Sequence, residues 1–110
     1  MPLPIEINVA SVNEMLHSNE KFTLLDVREP DEVAAAKIAG STHIPMKDVP
    51  PRMAELGPKD SRIVVHCHHG GRSLRVTNFL RQQGYANVQN MAGGIDAWSL
   101  EIDPTIPRYE

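Results

Sequence analysis

The chain has 110 residues, of which 41% are hydrophobic and 23% are charged, and its formal net charge is -3. This composition predicts one globular domain spanning residues 1–110. It argues against a general nucleic-acid or membrane-surface binder, and no apolar run approaches the roughly 20 residues that cross a bilayer. The start of the chain lacks the pattern of a secretory signal. A single cysteine cannot form an internal disulfide, so we expect a reducing, cytoplasmic setting.

The N-terminal part of the chain predicts an edge strand followed by a helix. Residues 1–8 contain two prolines and a short apolar alternation, which fits an extended lead-in or a short edge strand. Asn8 is a suitable N-cap for a helix that runs to about residue 17. The apolar face of this helix is predicted to consist of Val9, Val12 and Leu16.

The next stretch predicts two strands with a helix between them. Residues 22–27 form an apolar run without polar alternation, which is typical of a strand covered on both faces in a parallel sheet. Pro30 and the acidic residues after it begin a helix that is predicted to continue through residue 37 and to end at Gly40. A short strand at residues 41–45 follows, and the prolines within residues 47–56 predict a poor helix.

The second half of the chain repeats a pattern of strand, glycine-containing loop and helix. Buried strands are predicted at residues 62–66 and 85–91. The helix at residues 73–83 has an apolar stripe formed by Leu74, Thr77 and Leu80, with Val76 and Phe79 less regularly placed. Gly93 and Gly94 turn the chain into a last helix that contributes Trp98 to the core, and they are expected to allow a close backbone approach beside the loop. We expect the proline-containing tail to lie extended over the surface.

This alternation of strands and helices predicts an α/β fold with a parallel sheet covered by helices on both faces. Ligands of such sheets bind beyond the carboxyl ends of the strands. Asp26, Arg28, Cys67 and Gly93 all follow predicted strand ends. We therefore expect these residues to meet at one edge of the sheet.

The chemistry of the chain is concentrated in the loop that follows the strand at residues 62–66. Its lone cysteine, Cys67, is followed by His68, His69, Gly70, Gly71, Arg72 and Ser73. Such a loop can turn several backbone N–H groups inward, and the N-terminus of the next helix adds about half a positive charge. These surroundings favour the thiolate, which is the nucleophilic form of cysteine. We interpret the loop as an active site for sulfur chemistry in which its residues bind the substrate.

Four stretches, in their order and spacing, resemble the rhodanese family of sulfurtransferase domains. They are residues 25–30, 38–45, 67–73 and 91–98, and they extend over nearly the whole chain. The resemblance implies a three-layer α/β/α fold with a five-stranded parallel sheet. It also implies that Cys67 takes a sulfane sulfur from thiosulfate or a persulfide donor. The persulfide then passes this sulfur to cyanide, to a small thiol or to a sulfur-carrier protein, and no cofactor is needed.

Loop length separates this family from its relatives. Four residues lie between Cys67 and Arg72, whereas related phosphatases and arsenate reductases place five there to wrap a tetrahedral oxyanion. The shorter loop favours sulfur transfer. A phosphatase or arsenate reductase remains an alternative, as does a non-catalytic interaction module, although such modules often lack the cysteine.

The chain departs from the family pattern in two places. His68 and His69 stand where relatives with strong thiosulfate activity often have arginine or lysine. Histidine carries little positive charge near pH 7 unless its site raises the pKa, so we expect modest thiosulfate turnover. Residues 36–38 replace a common glycine-histidine-isoleucine, which we interpret as a surface or packing variation.

Several polar residues have both a structural and a functional interpretation. Asp26 and Arg28 are predicted to form a buried pair that supports the loop rather than to contact substrate. Arg72 is expected to brace the loop or to meet an anion. His66 is expected to point inward as a hydrogen-bonded core residue. No metal site is expected, because the neighbouring residues 66–69 cannot all converge on one ion.

Overall fold

The computed structural model describes residues 3–109, whose strands form one parallel sheet in the order β1-β5-β4-β2-β3. The strands are β1 (Glu6–Ile7), β2 (Thr23–Asp26), β3 (Thr42–His43), β4 (Ile63–His66) and β5 (Val88–Met91). The helices are α1 (Val9–Leu16), α2 (Pro30–Ala35), α3 (Gly71–Gln82) and α4 (Gly94–Glu101). The predicted five-stranded parallel sheet is confirmed. Within residues 3–109 no helix is both long and apolar enough to cross a bilayer.

Both faces of the sheet are covered, so the chain has two hydrophobic cores. On β4, Val65 packs in the core beside α3, while Val64 packs in the core that includes Trp98 of α4. All four residues of β4 are buried. Successive side chains of a strand point to opposite faces, which explains why the central strands show no polar alternation. Trp98 is 4% exposed and is a core residue, as predicted.

Two predictions about helix faces are wrong in detail. Leu16 is 36% exposed, and Met15 lies in the core in its place. Leu74 is only half-buried, whereas Val76 packs fully against the sheet. The other predicted face residues, Val9, Val12, Thr77 and Leu80, are buried, so each stripe differs from the prediction at one position.

The bounds of several elements also differ from prediction. The helix that begins at Pro30 ends at Ala35 rather than at residue 37, because Ala36 is extended (φ -163°) and its carbonyl accepts a hydrogen bond from Arg28. Short 3-10 helices at Met46–Asp48 and Met53–Leu56 replace the predicted poor helix. The strand predicted at residues 85–91 begins only at Val88.

The C-terminal tail is non-helical after residue 101, as predicted, but it packs against the protein rather than lying free on it. Ile106 and Tyr109 contact the core that contains Trp98. The hydroxyl of Ser99 donates a hydrogen bond to the carbonyl of Ile106. The tail is therefore fixed over the face of the sheet, and it brings Tyr109 towards the loop after β4.

A buried ion pair joins β2 to its surroundings. Arg28 and Asp26 are both fully buried, with Arg28 Nη2 2.7 Å from Asp26 Oδ2. Burial alone would raise the pKa of Asp26, but hydrogen bonds from Arg28 outweigh it and hold that pKa below its usual value. Arg28 also donates to the carbonyls of Glu32 and Ala36. The predicted buried pair is present, and it ties β2 mainly to α2.

His66 lies beside this pair without a hydrogen bond. Its Nε2 is 4.0 Å from Asp26 Oδ2, and neither ring nitrogen has a hydrogen-bond partner among the described residues. The prediction of a hydrogen-bonded histidine is therefore wrong. Burial lowers the pKa of His66 to about 4, despite the nearby charge of Asp26.

The N-terminus of α4 packs directly on the loop that follows β4. The N–H of Ile95 donates to the carbonyl of Cys67 (2.9 Å), and the N–H of Asp96 donates to that of His68 (3.1 Å). Gly94 lies against these carbonyls with φ +60°, and a Cβ there would overlap both oxygens. The predicted close backbone approach beside the loop is confirmed for Gly94, and it explains the glycine at this position, whereas a Cβ on Gly93 would overlap the side chain of Ala97.

We predict that Gly94→Ala destabilises the protein by about 3 kcal/mol, because strain at positive φ adds to the overlap with two backbone carbonyls. Gly40→Ala is the matched control, since Gly40 also has positive φ (+88°) but a Cβ added there would meet nothing within 4 Å. It should cost about 1 kcal/mol. Urea unfolding of both variants measures the difference, and equal losses would contradict the proposed contact.

We predict that acid weakens the protein through His66. The unfolded chain protonates this residue near its ordinary pKa of 6.5, whereas the folded chain does so only near 4. The free energy of unfolding should therefore fall by about 2 kcal/mol between pH 7 and pH 4.5, above the range where carboxylates contribute most. His66→Phe should flatten this dependence.

Val64→Ala is the control for this pH experiment, because it opens a cavity on the same strand without removing a titrating group. It should lower stability by about 2 kcal/mol at every pH. Chemical denaturation across this range is the measurement. A His66→Phe variant that keeps the full slope would show that the acid sensitivity arises elsewhere.

Candidate functional site

The sulfur of Cys67 lies at the centre of the loop between β4 and α3. Cys67 is 1% exposed, and its Sγ accepts hydrogen bonds from the backbone N–H groups of Gly70 (3.1 Å) and Ser73 (3.4 Å). The Ser73 hydroxyl oxygen lies 3.3 Å from the same sulfur. The loop therefore presents hydrogen-bond donors to the one cysteine of the chain, which is the arrangement that stabilises negative charge on sulfur.

Glycine gives the loop its shape. Gly70 has φ 113°, a left-handed conformation that disfavours residues with a Cβ, and it is the N-cap of α3. This conformation turns the Gly70 N–H inward, and α3 begins at Gly71 with its N-terminus towards Cys67. Of the amides predicted to face the sulfur, those of Gly70 and Ser73 make the contact.

Asn90 on β5 supports the loop from below, and the sequence interpretation did not include it. Its Oδ1 accepts a hydrogen bond from the hydroxyl of Ser73, and its Nδ2 donates to the carbonyl of Gly70 (3.2 Å). Nδ2 also donates to Glu6 Oε2 (2.7 Å) on the edge strand. Asn90 is 2% exposed. The sequence signal that could have revealed Asn90 is a polar residue within a strand covered on both faces, because a buried polar side chain needs hydrogen-bond partners.

Arg72 turns away from the sulfur and pairs with α2. Its Nη1 and Nη2 donate to the two carboxylate oxygens of Glu32, at 2.6 and 2.8 Å. This bidentate pair lowers the pKa of Glu32 to about 2 and raises the pKa of Arg72. The expectation that Arg72 braces the loop fits this geometry. The Glu32 side chain is 16% exposed, so it faces the loop rather than solvent.

Tyr109 links the ion pairs to the loop histidines. Its hydroxyl donates to Glu32 (2.8 Å) and accepts from Arg28 (3.0 Å). Its ring stacks on His68 with 4.0 Å between centroids, and His68 stacks in turn on His69 at 3.9 Å. Burial raises the pKa of Tyr109 to about 12, so the phenol is neutral at physiological pH. Tyr109 therefore connects the Asp26–Arg28 pair to the loop, because it contacts Arg28 through its hydroxyl and His68 through its ring.

The loop histidines line the mouth of a cavity beside the loop, and Cys67 is not among the residues that line it. The cavity has a volume of about 260 Å³ and is lined by His68, His69, Asp96, Arg108 and Tyr109. Burial, followed by the charge of His69, lowers the pKa of His68. His69 is more open, with 68% of its side chain exposed. His68 therefore supplies a neutral ring near pH 7 rather than a fixed positive charge.

Potential metal ligands come together at this mouth in a combination that the sequence interpretation did not consider. One donor atom from each of His68, His69 and Asp96 lies within 4.8 Å of the others. Arg108 donates to both carboxylate oxygens of Asp96, at 2.9 and 3.3 Å. The imidazole rings are stacked with 28° between their planes, so their lone pairs do not converge. To coordinate one ion, the two histidine rings would have to unstack and Asp96 would have to give up its hydrogen bonds from Arg108.

Comparison with known proteins agrees with this geometry. The sequence profile of the rhodanese-like domain family matches residues 8–101. A sulfurtransferase of Allochromatium vinosum is 40% identical over 101 residues, covering 92% of this chain and 94% of that protein. The putative sulfurtransferase YtwF of Bacillus subtilis is 40% identical over 99 residues, covering 90% and 94%.

Solved structures show the same fold. A rhodanese-related protein from Thermoplasma volcanium superimposes with a TM-score of 0.79 at 35% identity, over 94% of this chain and 98% of that one. Sequence profile, curated relatives and fold therefore agree over most of the chain: it belongs to the rhodanese-like domain family.

Proposed function

We propose that the chain is a sulfurtransferase in which Cys67 is the nucleophile and carries the transferred sulfur as a persulfide. The observation that carries this proposal is the pair of amides, from Gly70 and Ser73, that donate to the Cys67 sulfur. Relatives named sulfurtransferases at 40% identity support the reaction class.

The reaction has two steps that balance without an external oxidant. The Cys67 thiolate attacks the sulfane sulfur of the donor, forming a new S–S bond as the donor's bond to that sulfur breaks. The donor leaves with the electron pair, as sulfite from thiosulfate or as a thiolate from a persulfide. The acceptor, cyanide or a thiol, then attacks the outer sulfur and releases the Cys67 thiolate.

Loop amides are suited to this chemistry because negative charge stays near sulfur throughout the reaction. The thiolate, the persulfide anion and the departing thiolate all benefit from donors that are already oriented. Gly70 and Ser73 supply these donors, and the N-terminus of α3 adds its partial positive charge. Once Cys67 is in the thiolate form, no further acid or base is needed for its attack.

Charge pairing around the mouth favours a persulfide donor over thiosulfate. Arg72 is neutralised by Glu32, and Arg108 donates to Asp96. His68 is neutral near pH 7, because its pKa is lowered. Thiosulfate, a dianion, is therefore attracted only weakly to this mouth. A persulfide donor depends less on positive charge there, because it carries less negative charge than thiosulfate.

The partners we infer are small donors and acceptors or a protein that carries sulfur on a thiol. A putative sulfur carrier protein of Bacillus subtilis, YrkF, is 35% identical over 94 residues, and a Haemophilus influenzae relative is named thiosulfate sulfurtransferase GlpE. Cys67 is a free thiol. Such a thiol stays reduced in the cytoplasm, where we place the reaction.

We predict that Cys67→Ser abolishes sulfur transfer and leaves the fold intact, because serine has nearly the same volume but cannot form a persulfide. Intact mass after incubation with thiosulfate or a low-molecular-weight persulfide is the measurement. The natural chain should gain one sulfur atom and lose it again on addition of cyanide or a thiol.

Two controls sharpen this experiment. Prior alkylation of the natural chain should block the mass gain, since Cys67 is the only cysteine. Circular dichroism should show an unchanged fold for Cys67→Ser. A Cys67→Ser variant that keeps full thiosulfate:cyanide activity would exclude Cys67 as the nucleophile.

We predict that replacing His68 with Arg and His69 with Lys lowers the Michaelis constant for thiosulfate. Two fixed charges at the mouth should attract the dianion and lower the constant by roughly fivefold to tenfold, with the gain shrinking in high salt. The constant for a persulfide donor that carries less negative charge than thiosulfate should fall by a smaller factor. Steady-state kinetics with both donors measures the contrast.

The control for this variant adds the same charge elsewhere. Asn19→Arg with Gln82→Lys places two cations at exposed positions, one before β2 and the other at the far end of α3 from the loop. This pair should leave the thiosulfate constant near that of the natural chain. An equal effect of both double variants would mean that net charge, and not charge at the mouth, sets the affinity.

A further inference from the structure

The geometry points to Asn90 as a positioning residue that holds the Ser73 hydroxyl away from the Cys67 sulfur and so favours the thiol over the thiolate in the resting protein. This inference rests on the proposed role of Cys67 and adds a residue that controls its protonation. It is argued from the hydrogen-bond geometry of three buried side chains.

The orientation of the Asn90 amide is fixed by its neighbours. Its Nδ2 faces two acceptors, the Gly70 carbonyl at 3.2 Å and Glu6 Oε2 at 2.7 Å. Rotating the amide by half a turn would place an oxygen against both of these acceptors. Oδ1 must therefore face the hydroxyl of Ser73.

The Ser73 hydroxyl has one hydrogen and two possible acceptors. One acceptor is Asn90 Oδ1, which has no hydrogen of its own, and the other is the Cys67 sulfur at 3.3 Å. Ser73 Oγ and Asn90 Oδ1 lie within hydrogen-bond distance of each other, and such a pair of oxygens needs a hydrogen between them. Asn90 Oδ1 has none, so the Ser73 hydroxyl donates to Asn90. Its oxygen is then free to accept the S–H hydrogen of a protonated Cys67.

The thiolate needs the opposite arrangement. When the proton leaves Cys67 for solvent, the sulfur becomes an acceptor and gains from every donor within reach. Ser73 can supply its hydroxyl only by rotating away from Asn90, which leaves a buried Oδ1 without a donor. Leaving a buried acceptor unpaired is costly, so Asn90 opposes ionisation while the backbone amides of Gly70 and Ser73 favour it.

Other charged groups surround the loop, and all of them are retained in the Asn90 and Ser73 variants that test this inference. Those facing it from other elements are Glu6, Glu32 with its partner Arg72, Asp96 with its partner Arg108, and Tyr109 with its partner Arg28, together with the loop histidines. Asp26 and His66 belong to the opposite face of the sheet, because His66 and Cys67 are neighbours along one extended chain. Differences between variants therefore isolate the hydroxyl.

The experiment is a thiolate titration by ultraviolet absorbance. The chain has one cysteine, so subtracting the spectrum of Cys67→Ser at each pH removes the tyrosine signal. Asn90→Leu is expected to move the titration midpoint about one pH unit lower, because the freed hydroxyl turns to the thiolate. Adding Ser73→Ala to Asn90→Leu should cancel that shift.

Ser73→Ala alone keeps the test decisive if Asn90→Leu fails to fold, since it removes one oxygen and retains the Ser73 amide. With the hydroxyl bound to Asn90, this variant should not raise the midpoint. A rise of about one unit would show that the hydroxyl already donates to the sulfur in the natural chain, and would overturn the inference.

Glu6→Gln is the matched control, because it removes a charge from an exposed residue that contacts Asn90 but leaves the contact between Asn90 and Ser73. Its midpoint should stay near that of the natural chain. A folded Asn90→Leu with an unchanged midpoint would also overturn the inference. Neither result would bear on whether Cys67 carries sulfur, which the mass measurement decides separately.

Discussion

The contact on which the rest of the structure depends joins the sulfur of Cys67 to the N–H groups of Gly70 and Ser73. The residue is almost wholly buried, and a buried anion without donors would be strongly disfavoured. The loop cannot hold these amides by itself. It is fixed by Asn90 of β5 on one side and, on the other, by amides of α4 that bind the carbonyls of Cys67 and His68. Each distant element of the fold therefore contributes to the shape of one short loop.

A second constraint is that the cations near the loop are paired within the protein. Arg28 is buried against Asp26, and Arg72 is held by Glu32 in a bidentate contact. Tyr109 joins these two pairs through its hydroxyl and stacks on His68. The pairing connects α2, α3 and the C-terminal tail beside the loop and leaves little uncompensated positive charge at the mouth. The same residues that stabilise the fold thus set the charge that an incoming ligand meets at the mouth.

Local patterns in the sequence predicted the features that depend on neighbouring residues. The uninterrupted apolar run around Leu24 predicted a central strand, Asn8 predicted the start of α1, and Gly94 predicted a close backbone contact. These predictions succeeded because periodicity, capping and positive φ are properties of short segments.

Partners far apart in the sequence were not predicted. Arg72 and Glu32 are separated by 40 positions, and Tyr109 and Glu32 by 77, so no local pattern connects them. The predicted end of α2 is too late for a different reason: the carbonyl of Ala36 accepts a hydrogen bond from the side chain of Arg28, and Ala36 is extended. Tertiary contacts override local preference at these positions.

The central claim is that the amides of Gly70 and Ser73 respond to charge on the Cys67 sulfur. Nitrogen-15 NMR of the uniformly labelled chain, recorded across the thiol titration, tests it most directly. The amide protons of these two residues should move downfield together, with one common midpoint that is absent in Cys67→Ser. If both resonances stay fixed while the thiol ionises, the amides do not stabilise the sulfur and the interpretation of the loop is wrong.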